Sequence, residues 1–218
     1  VMEIVKGVYW VGVVDWNLRH FHGHELSTHR GSTYNSYLIT DEKTVLVDTV
    51  WNPFKEEFLE NLRQVVDPAS IDIVVANHSE SDHSGALPLV MQHCPQATVV
   101  VSPRGATSIP GHYHQDWHLR VVKTGDSLDI GENKLLFVEA PMLHWPDSMF
   151  TYLTGRNLLM PNDAFGQHYA TAFRFNDQVD QAELYEEALK YYANILTPTS
   201  DLVLRKVDEV LALNLPVD

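Results

Sequence analysis

Short apolar stretches rich in β-branched and aromatic residues alternate along this chain with segments of helical spacing. Near the N-terminus, Val8–Val14, Tyr34–Thr40 and Thr44–Asp48 predict strands, and the polar tripeptide Asp41-Glu42-Lys43 predicts a hairpin between the last two. Comparable runs predict six further strands, at Ile71–Ala76, Thr98–Ser102, Leu119–Val122, Lys134–Glu139, Met149–Leu153 and Asn157–Met160.

Apolar residues spaced three and four apart predict the helices. These are a segment from Pro53 to about Val66, Ala86–His93, a short helix after Pro103, Ala182–Ala193 and Asp201–Leu213. The stretch Asp15–Ser32 has no period and predicts a long loop. No repeat, low-complexity tract or linker divides the chain, so we expect a single layered α/β domain.

The charge of the chain excludes some classes of function. Among 218 residues, 29 are acidic and 15 are basic, which leaves a formal charge of −14. Nucleic acid and membrane-surface binding both need a basic face, so neither is expected. No apolar run is long enough to cross a membrane, and the N-terminus has no signal-peptide pattern. A single cysteine, Cys94, excludes an internal disulfide and a Cys-x-x-Cys metal site and favours a reducing, cytoplasmic location.

Twelve histidines are the unusual feature of the composition, and two of them lie in a dense polar segment. Between a predicted strand and a predicted helix, six residues contain four possible metal ligands: His78, Glu80, Asp82 and His83. Imidazole and carboxylate together suit first-row transition metals. The alternative is a polar helix N-terminus, in which Ser or Asp caps the helix and the charged groups face solvent. For all four residues at this spacing, the metal interpretation is favoured.

Two more candidates follow predicted strands, where layered α/β folds place their functional groups. His144 lies in Pro141–Asp147, and Asp163 lies in Met160–Phe165. Taken alone, His144 could be a hydrogen-bonded core histidine and Asp163 a turn residue. Together with the cluster, they supply what a binuclear metal site needs, namely terminal imidazoles and a carboxylate able to bridge.

The order His-x-Glu-x-Asp-His, then a distant His, then a distant Asp resembles the flavodiiron proteins, the A-type flavoproteins that reduce dioxygen or nitric oxide on a metallo-β-lactamase-like domain. The resemblance extends over essentially all 218 residues and includes Asp15-Trp16, Phe21-His22-Gly23, His29–Ser32, Leu46–Thr49, Pro141–Met149, Asn162–His168 and Tyr191–Leu196. It implies a metallo-β-lactamase-like αββα sandwich.

The resemblance also implies roles for individual residues. One iron would be held by His78, Glu80 and His144. The second iron would be bound by Asp82, with Asp163 as the bridge. His83 matches a position that ligates the second iron in some members of the family and not in others. Further positions near the metal pocket are a histidine, a tyrosine and a flavin-facing tryptophan, which here are His22, Tyr192 and Trp145. The alternatives are that His22 is an ordinary loop histidine and that Tyr192 is a helix tyrosine packed on the sheet.

Glu80 distinguishes this chain from hydrolases of the same fold. Hydrolytic relatives carry His-x-His-x-Asp-His, and three imidazoles suit Zn²⁺ and an activated hydroxide. With a carboxylate at position 80, the set becomes two histidines and one carboxylate with open positions, which suits non-haem iron and dioxygen. A di-zinc hydrolase and a non-catalytic diiron oxygen sensor are the alternative functions.

Two features of the family are missing from this chain. Members have a further iron-ligating histidine in a His-Gly motif well after the bridging aspartate, and a flavodoxin-like domain that carries FMN. We therefore expect residues 1–218 to be a diiron domain cut short before its last ligand segment, with the FMN domain after it. The resemblance further implies a head-to-tail homodimer or dimer of dimers, a rubredoxin-like or other reductase as electron donor, and dioxygen or nitric oxide as substrate.

Overall fold

Two β-sheets face each other at the centre of the fold, and helices cover their outer surfaces. The structure is a computed structural model and describes residues 1–21 and 26–217. Its strands are β1 Met2–Val5, β2 Val8–Trp10, β3 Val13–Asp15, β4 His20–Phe21, β5 Leu26–Ser27, β6 Ser32–Tyr34, β7 Tyr37–Thr40, β8 Thr44–Val47, β9 Ile73–Ala76, β10 Thr98–Val101, β11 Leu119–Val121, β12 Ser127–Asp129, β13 Lys134–Glu139, β14 Met149–Leu153 and β15 Leu158–Met160. Its α-helices are α1 Lys55–Arg63, α2 Ser81–Ser84, α3 Leu87–His93, α4 Gly105–Tyr113, α5 Gln181–Tyr191 and α6 Ser200–Ala212.

The larger sheet has the strand order β1-β2-β7-β8-β9-β10-β11. Its first three strands are antiparallel to their neighbours, whereas β8 to β11 run parallel. The smaller sheet, β12-β13-β14-β15, is antiparallel throughout. The short pairs β3-β6 and β4-β5 form two separate ribbons.

Three apolar clusters hold these layers together. The first packs α1, α3 and α4 against the larger sheet, the second lies between the two sheets, and the third packs α5 and α6 against the smaller sheet. Strand β8 shows the alternation that this layering needs, because Leu46 belongs to the first cluster while Val45 and Val47 belong to the second. The predicted αββα sandwich is confirmed.

Several predicted boundaries differ from the structure. The predicted strand Tyr34–Thr40 is two strands, because Tyr34 pairs with Val13 of β3 whereas Tyr37 pairs with Trp10 of β2. The predicted loop Asp15–Ser32 contains the two-residue strands β4 and β5 within its described part. Strands β1 and β12 lie outside the predicted elements, because their three or four residues are too few to give a clear period.

Asn77 joins the two sheets directly below the polar segment. It follows β9, and its amide donates to Asp48 Oδ2 at 3.0 Å while its backbone N–H donates to Asp48 Oδ1 at 2.8 Å. Its side-chain oxygen accepts from the Thr151 hydroxyl on β14 at 2.6 Å, and its backbone carbonyl accepts from Met149 N–H at 2.9 Å. Since all of these groups are buried, the end of β9 is held at a defined place relative to both sheets.

Candidate metal centre

The predicted ligand segment leaves β9 as an extended chain and then makes one helical turn. His78 and Glu80 lie in the extended part and are 1% and 8% exposed, while Asp82 and His83 lie on α2. Glu80 occupies the N-cap position of α2 but makes no side-chain capping hydrogen bond. Its carboxylate contacts His78 and His144 instead. At Gly85 an added Cβ would lie 2.4 Å from Ser81 O, and glycine is therefore required where this turn packs.

Four side chains from both sheets converge at the first part of the site. Glu80 Oε2 lies 3.0 Å from His144 Nε2 and 3.3 Å from His78 Nε2. Asp163 Oδ2 lies 3.1 Å from His78 Nε2 and 3.6 Å from His144 Nε2. One ligand atom of each residue lies within 4.8 Å of every other, so these four residues form a group that could hold a metal ion.

A second group shares one member with the first. His83 Nε2 lies 2.8 Å from Asp163 Oδ1 and 3.6 Å from Asp82 Oδ2, and these three residues form the other possible metal-binding group in the described part of the chain. Asp163 therefore offers one carboxylate oxygen to each group. The structure brings all six predicted ligands together, and His83 is a member of the second group.

Two buried oxygens have contacts that fit a cation better than hydrogen bonding. Asp82 Oδ1 and Asp163 Oδ2 are buried and have no hydrogen-bond partner, although Asp163 Oδ2 is only 3.1 Å from His78 Nε2. A buried carboxylate oxygen without a partner is costly unless a proton donor or a metal satisfies it. Imidazole nitrogens and carboxylate oxygens together suit a first-row metal ion, so the residues present fit one.

Three carboxylates crowded into this space control its electrostatics. Burial lowers the pKa of the His83 imidazole, but the carboxylates of Asp163 and Asp82 outweigh that effect and raise the pKa to about 10. Burial raises the pKa of Asp82 to about 6, because nearby positive charge offsets it only in part. Hydrogen bonds with His144 and His78 overcome the burial of Glu80 and lower its pKa to about 2. Without a metal, positive charge on the imidazoles balances the carboxylates; a cation would take over that role.

Asp147 orients the first imidazole, a role that no pattern in the sequence indicated. Asp147 Oδ1 lies 3.1 Å from His78 Nδ1, while Oδ2 accepts from Ser79 N–H at 2.9 Å and from the Ser108 hydroxyl at 2.8 Å. These bonds hold the Asp147 pKa at about 2 despite its burial. An ionised carboxylate only accepts, so His78 donates from Nδ1 and its Nε2 is left as the ligand atom.

The phenol that contacts the site belongs to Tyr191, the neighbour of the predicted Tyr192. Tyr191 donates its hydroxyl to Asp163 Oδ1 at 3.1 Å. Tyr192 instead packs against the third apolar cluster. Arg30 anchors α5, which carries Tyr191, through ion pairs to Glu183 at 2.9 Å and Glu187 at 3.2 Å.

The other two predicted pocket residues have different outcomes. Trp145 lies beside the site, with its ring centroid 5.2 Å from that of His78, while a flavin-facing role stays a prediction. His22 lies outside the described residues.

A cavity of about 550 Å³ opens onto the second group. Asp82, His83 and Asp163 border it, as does the Tyr191 phenol. His78, Glu80 and His144 do not border it. All three members of the second group therefore border this cavity, whereas the first group borders it through Asp163 alone.

The fold and the site together define a metallo-β-lactamase-like domain with two adjoining ligand groups. The family model described as "ODP family beta lactamase" matches residues 33–215. The chain belongs to this family, and the resemblance to flavodiiron proteins is confirmed.

Three relatives illustrate the similarity. The nitric oxide reductase of Moorella thermoacetica is 56% identical over 99% of this chain and 54% of its own length. The rubredoxin oxygen:oxidoreductase of Desulfovibrio gigas has a similar structure, with a TM-score of 0.96 and 39% identity over 99% of this chain and 54% of that one. The flavodiiron protein of Giardia intestinalis gives a TM-score of 0.93 and 39% identity over 99% and 52%.

The chain spans about half the length of the curated relatives that it matches. Among residues 1–21 and 26–217, no helix has the length and apolar character that crossing a membrane would require.

Proposed function

We propose that this chain is the metal-binding domain of a non-haem diiron oxidoreductase that reduces dioxygen to water, nitric oxide to nitrous oxide, or both. The observation that carries the proposal is the pair of ligand groups that share Asp163, with one carboxylate oxygen turned toward each group. A shared carboxylate holds two metal ions close enough to act on one small molecule.

The ligand roles follow the two groups. His78, Glu80 and His144 would hold one iron, Asp82 and His83 would bind the other, and Asp163 would bridge them. Iron supplies the redox chemistry when it is bound. The chain's own residues fix the imidazole tautomer, as Asp147 does for His78, and donate a hydrogen bond to the bridging carboxylate, as Tyr191 does.

Glu80 favours iron over zinc. Its Oε2 lies at hydrogen-bond distance from two imidazole nitrogens, those of His78 and His144, where a zinc hydrolase would use a third imidazole. An anionic oxygen ligand stabilises the higher oxidation state of a redox metal, and zinc has no redox chemistry. We therefore rank the di-zinc hydrolase below the oxidoreductase.

The substrate would approach through the cavity beside the second group. Dioxygen and nitric oxide are far smaller than 550 Å³, so the space is large enough for more of the full-length protein as well as the gas. The imidazole in the His-Gly motif of the family is our proposal for one such occupant. Relatives named for nitric oxide reduction and for rubredoxin-linked oxygen reduction support both gases as substrates.

Electron supply requires a second redox group. Two ferrous ions deliver two electrons, whereas reduction of dioxygen to water takes four. We propose that FMN, bound by a flavodoxin-like domain of the full-length protein, provides the remainder and receives electrons from a rubredoxin-like or other reductase. A head-to-tail homodimer would bring the flavin of one protomer to the metal centre of the other. A reducing compartment such as the cytoplasm fits the single, buried Cys94.

The test is metal analysis combined with gas consumption. Full-length protein prepared without oxygen should contain two irons per chain and should consume dioxygen or nitric oxide when reduced flavin or rubredoxin is supplied. Separate assays with each gas rank the substrates. Full zinc occupancy with hydrolytic activity would support the hydrolase instead. Iron that binds dioxygen reversibly without consuming it would support a sensor.

A further inference from the structure

The segment His29–Thr33 connects two parts of the chain that border the cavity beside the second group. Three contacts join it to the residues that follow the bridging Asp163. They are Arg30 O with Ala170 N–H at 2.8 Å, Ser32 Oγ with His168 Nδ1 at 3.0 Å, and the Thr33 hydroxyl with Tyr169 O at 2.8 Å. The segment therefore holds one wall of the cavity through hydrogen bonds.

The Arg30 side chain extends the other way, to helix α5. Its Nη1 lies 2.9 Å from Glu183 Oε1, and its Nε lies 3.2 Å from Glu187 Oε1. Both atoms of the second pair are buried. Arg30 is the nearest of three basic side chains to Glu187, since His29 Nε2 lies 3.4 Å and Lys190 Nζ 3.9 Å away. Breaking a buried ion pair is far more costly than breaking an exposed one, so this contact fixes where α5 lies.

The next turn of α5 carries the phenol that contacts the metal centre. Tyr191 follows Glu187 by four residues, which is about one helical turn. Its hydroxyl donates to Asp163 Oδ1 at 3.1 Å, and the same oxygen lies 2.8 Å from His83 Nε2 in the second group. The donor and the acceptor of this bond thus belong to two different segments. Arg30 contacts both segments, α5 with its side chain and the other with its carbonyl oxygen.

We propose that Arg30 is a positioning residue that keeps the Tyr191 phenol on Asp163 and thereby sets how tightly the second group holds its metal. A hydrogen bond to a ligating carboxylate fixes its orientation, and loss of such a partner costs about 10–100-fold in metal affinity. The bond is made to Oδ1, the oxygen turned toward the second group, so that group should respond more than the first. The inference rests on the proposed function, because it requires that both groups hold a metal.

The test is stepwise binding of cobalt(II) to metal-free, full-length protein, in competition with a chelator and followed by the d–d absorption of each site. Asp82→Ala, which removes a ligand of the second group alone, identifies the second-group affinity. Arg30→Gln and Glu187→Gln should each weaken that affinity about tenfold and leave the first nearly unchanged. Glu186→Gln is the matched control. Its carboxylate lies 3.7 Å from Arg30 but is 71% exposed, so its loss should change neither affinity.

Double mutants decide whether Arg30 acts through Tyr191. In a Tyr191→Phe background, Arg30→Gln should cause no further loss of affinity. Arg30→Lys should give an intermediate affinity, because an ammonium keeps the charge but lacks the fork that pairs with two carboxylates. No loss in Arg30→Gln, an equal loss at both groups, or a loss that adds to that of Tyr191→Phe would overturn the inference. Failure of the proposed function would appear separately, as unmodified protein that binds fewer than two metal ions.

Discussion

Replacing Asp147 with asparagine should weaken metal binding without removing a ligand. Both carboxylate oxygens of Asp147 accept hydrogen bonds, one from His78 Nδ1 and the other from Ser79 N–H and Ser108 Oγ. An amide cannot reproduce this pattern. If its oxygen faces His78, its NH₂ group meets the Ser79 N–H donor. If it flips, NH₂ donates to His78 Nδ1 and moves the imidazole proton to Nε2, the metal-facing nitrogen.

The expected loss of metal affinity follows from these two orientations of the amide. Loss of a carboxylate that orients a metal-binding histidine costs about 10–100-fold in metal affinity, which corresponds to about 1.4–2.8 kcal/mol. We expect Asp147→Asn near the upper end, since both orientations of the amide leave buried groups mismatched and one of them protonates the ligand nitrogen. Ser108→Ala is the matched control, because it removes one bond to Asp147 and keeps the charge and the tautomer.

Competition between the protein and a chelator for ferrous iron, measured without oxygen, gives the affinity of each variant. ¹⁵N NMR of the protein loaded with diamagnetic zinc reports which His78 nitrogen carries the proton, and this should be Nδ1 in the unmodified protein and in Ser108→Ala. If Asp147→Asn binds iron as tightly as the unmodified protein and keeps that tautomer, Asp147 does not orient His78 and the reasoning fails.

Three further predictions concern the ligand groups. Glu80→His should abolish most gas reduction while metal binding persists and shifts toward zinc, as measured by metal analysis; undiminished gas reduction would contradict a ligand role for Glu80. Asp163→Ala should lower the occupancy of both metal positions, since each group loses a ligand and the two cations repel across the lost bridge; loss of one metal alone would contradict bridging. In metal-free protein, His83 stabilises the fold fully below pH 6.5, its ordinary pKa, and this stabilisation should be lost as pH rises through about 10. Denaturant unfolding should show that loss only without metal, because a metal-bound imidazole is already neutral.

The residues that the sequence indicated as ligands come together in the structure, and most of them could be found because they are close in sequence; their metal-binding role stays a prediction. His78, Glu80, Asp82 and His83 lie within six residues after a clear strand pattern, and Asp163 follows another strand. The layered fold could also be predicted from the sequence, since the strand and helix periods alternate along nearly the whole chain.

The supporting residues could not be predicted in the same way. Asp147 is 69 residues from His78, and only the packing of one sheet on the other brings them together. The choice between Tyr191 and Tyr192 depends on the phase of α5, because adjacent helical residues point about 100° apart. Here α5 ends at Tyr191 and a π-helical turn, Tyr192–Leu196, follows, which a periodicity argument does not detect.

Because the proposed ligands come from both halves of the sandwich, a bound metal would also act as a cross-link. His78 follows a strand of the larger sheet, whereas His144 and Asp163 follow strands of the smaller one. Metal occupancy and cohesion of the two layers are therefore linked equilibria. If the proposed iron site forms, we expect the segments around His144 and Asp163 to become more accessible to proteases and to solvent deuterium when iron is scarce. The abundance of this protein would then follow the iron supply even with no change in its synthesis.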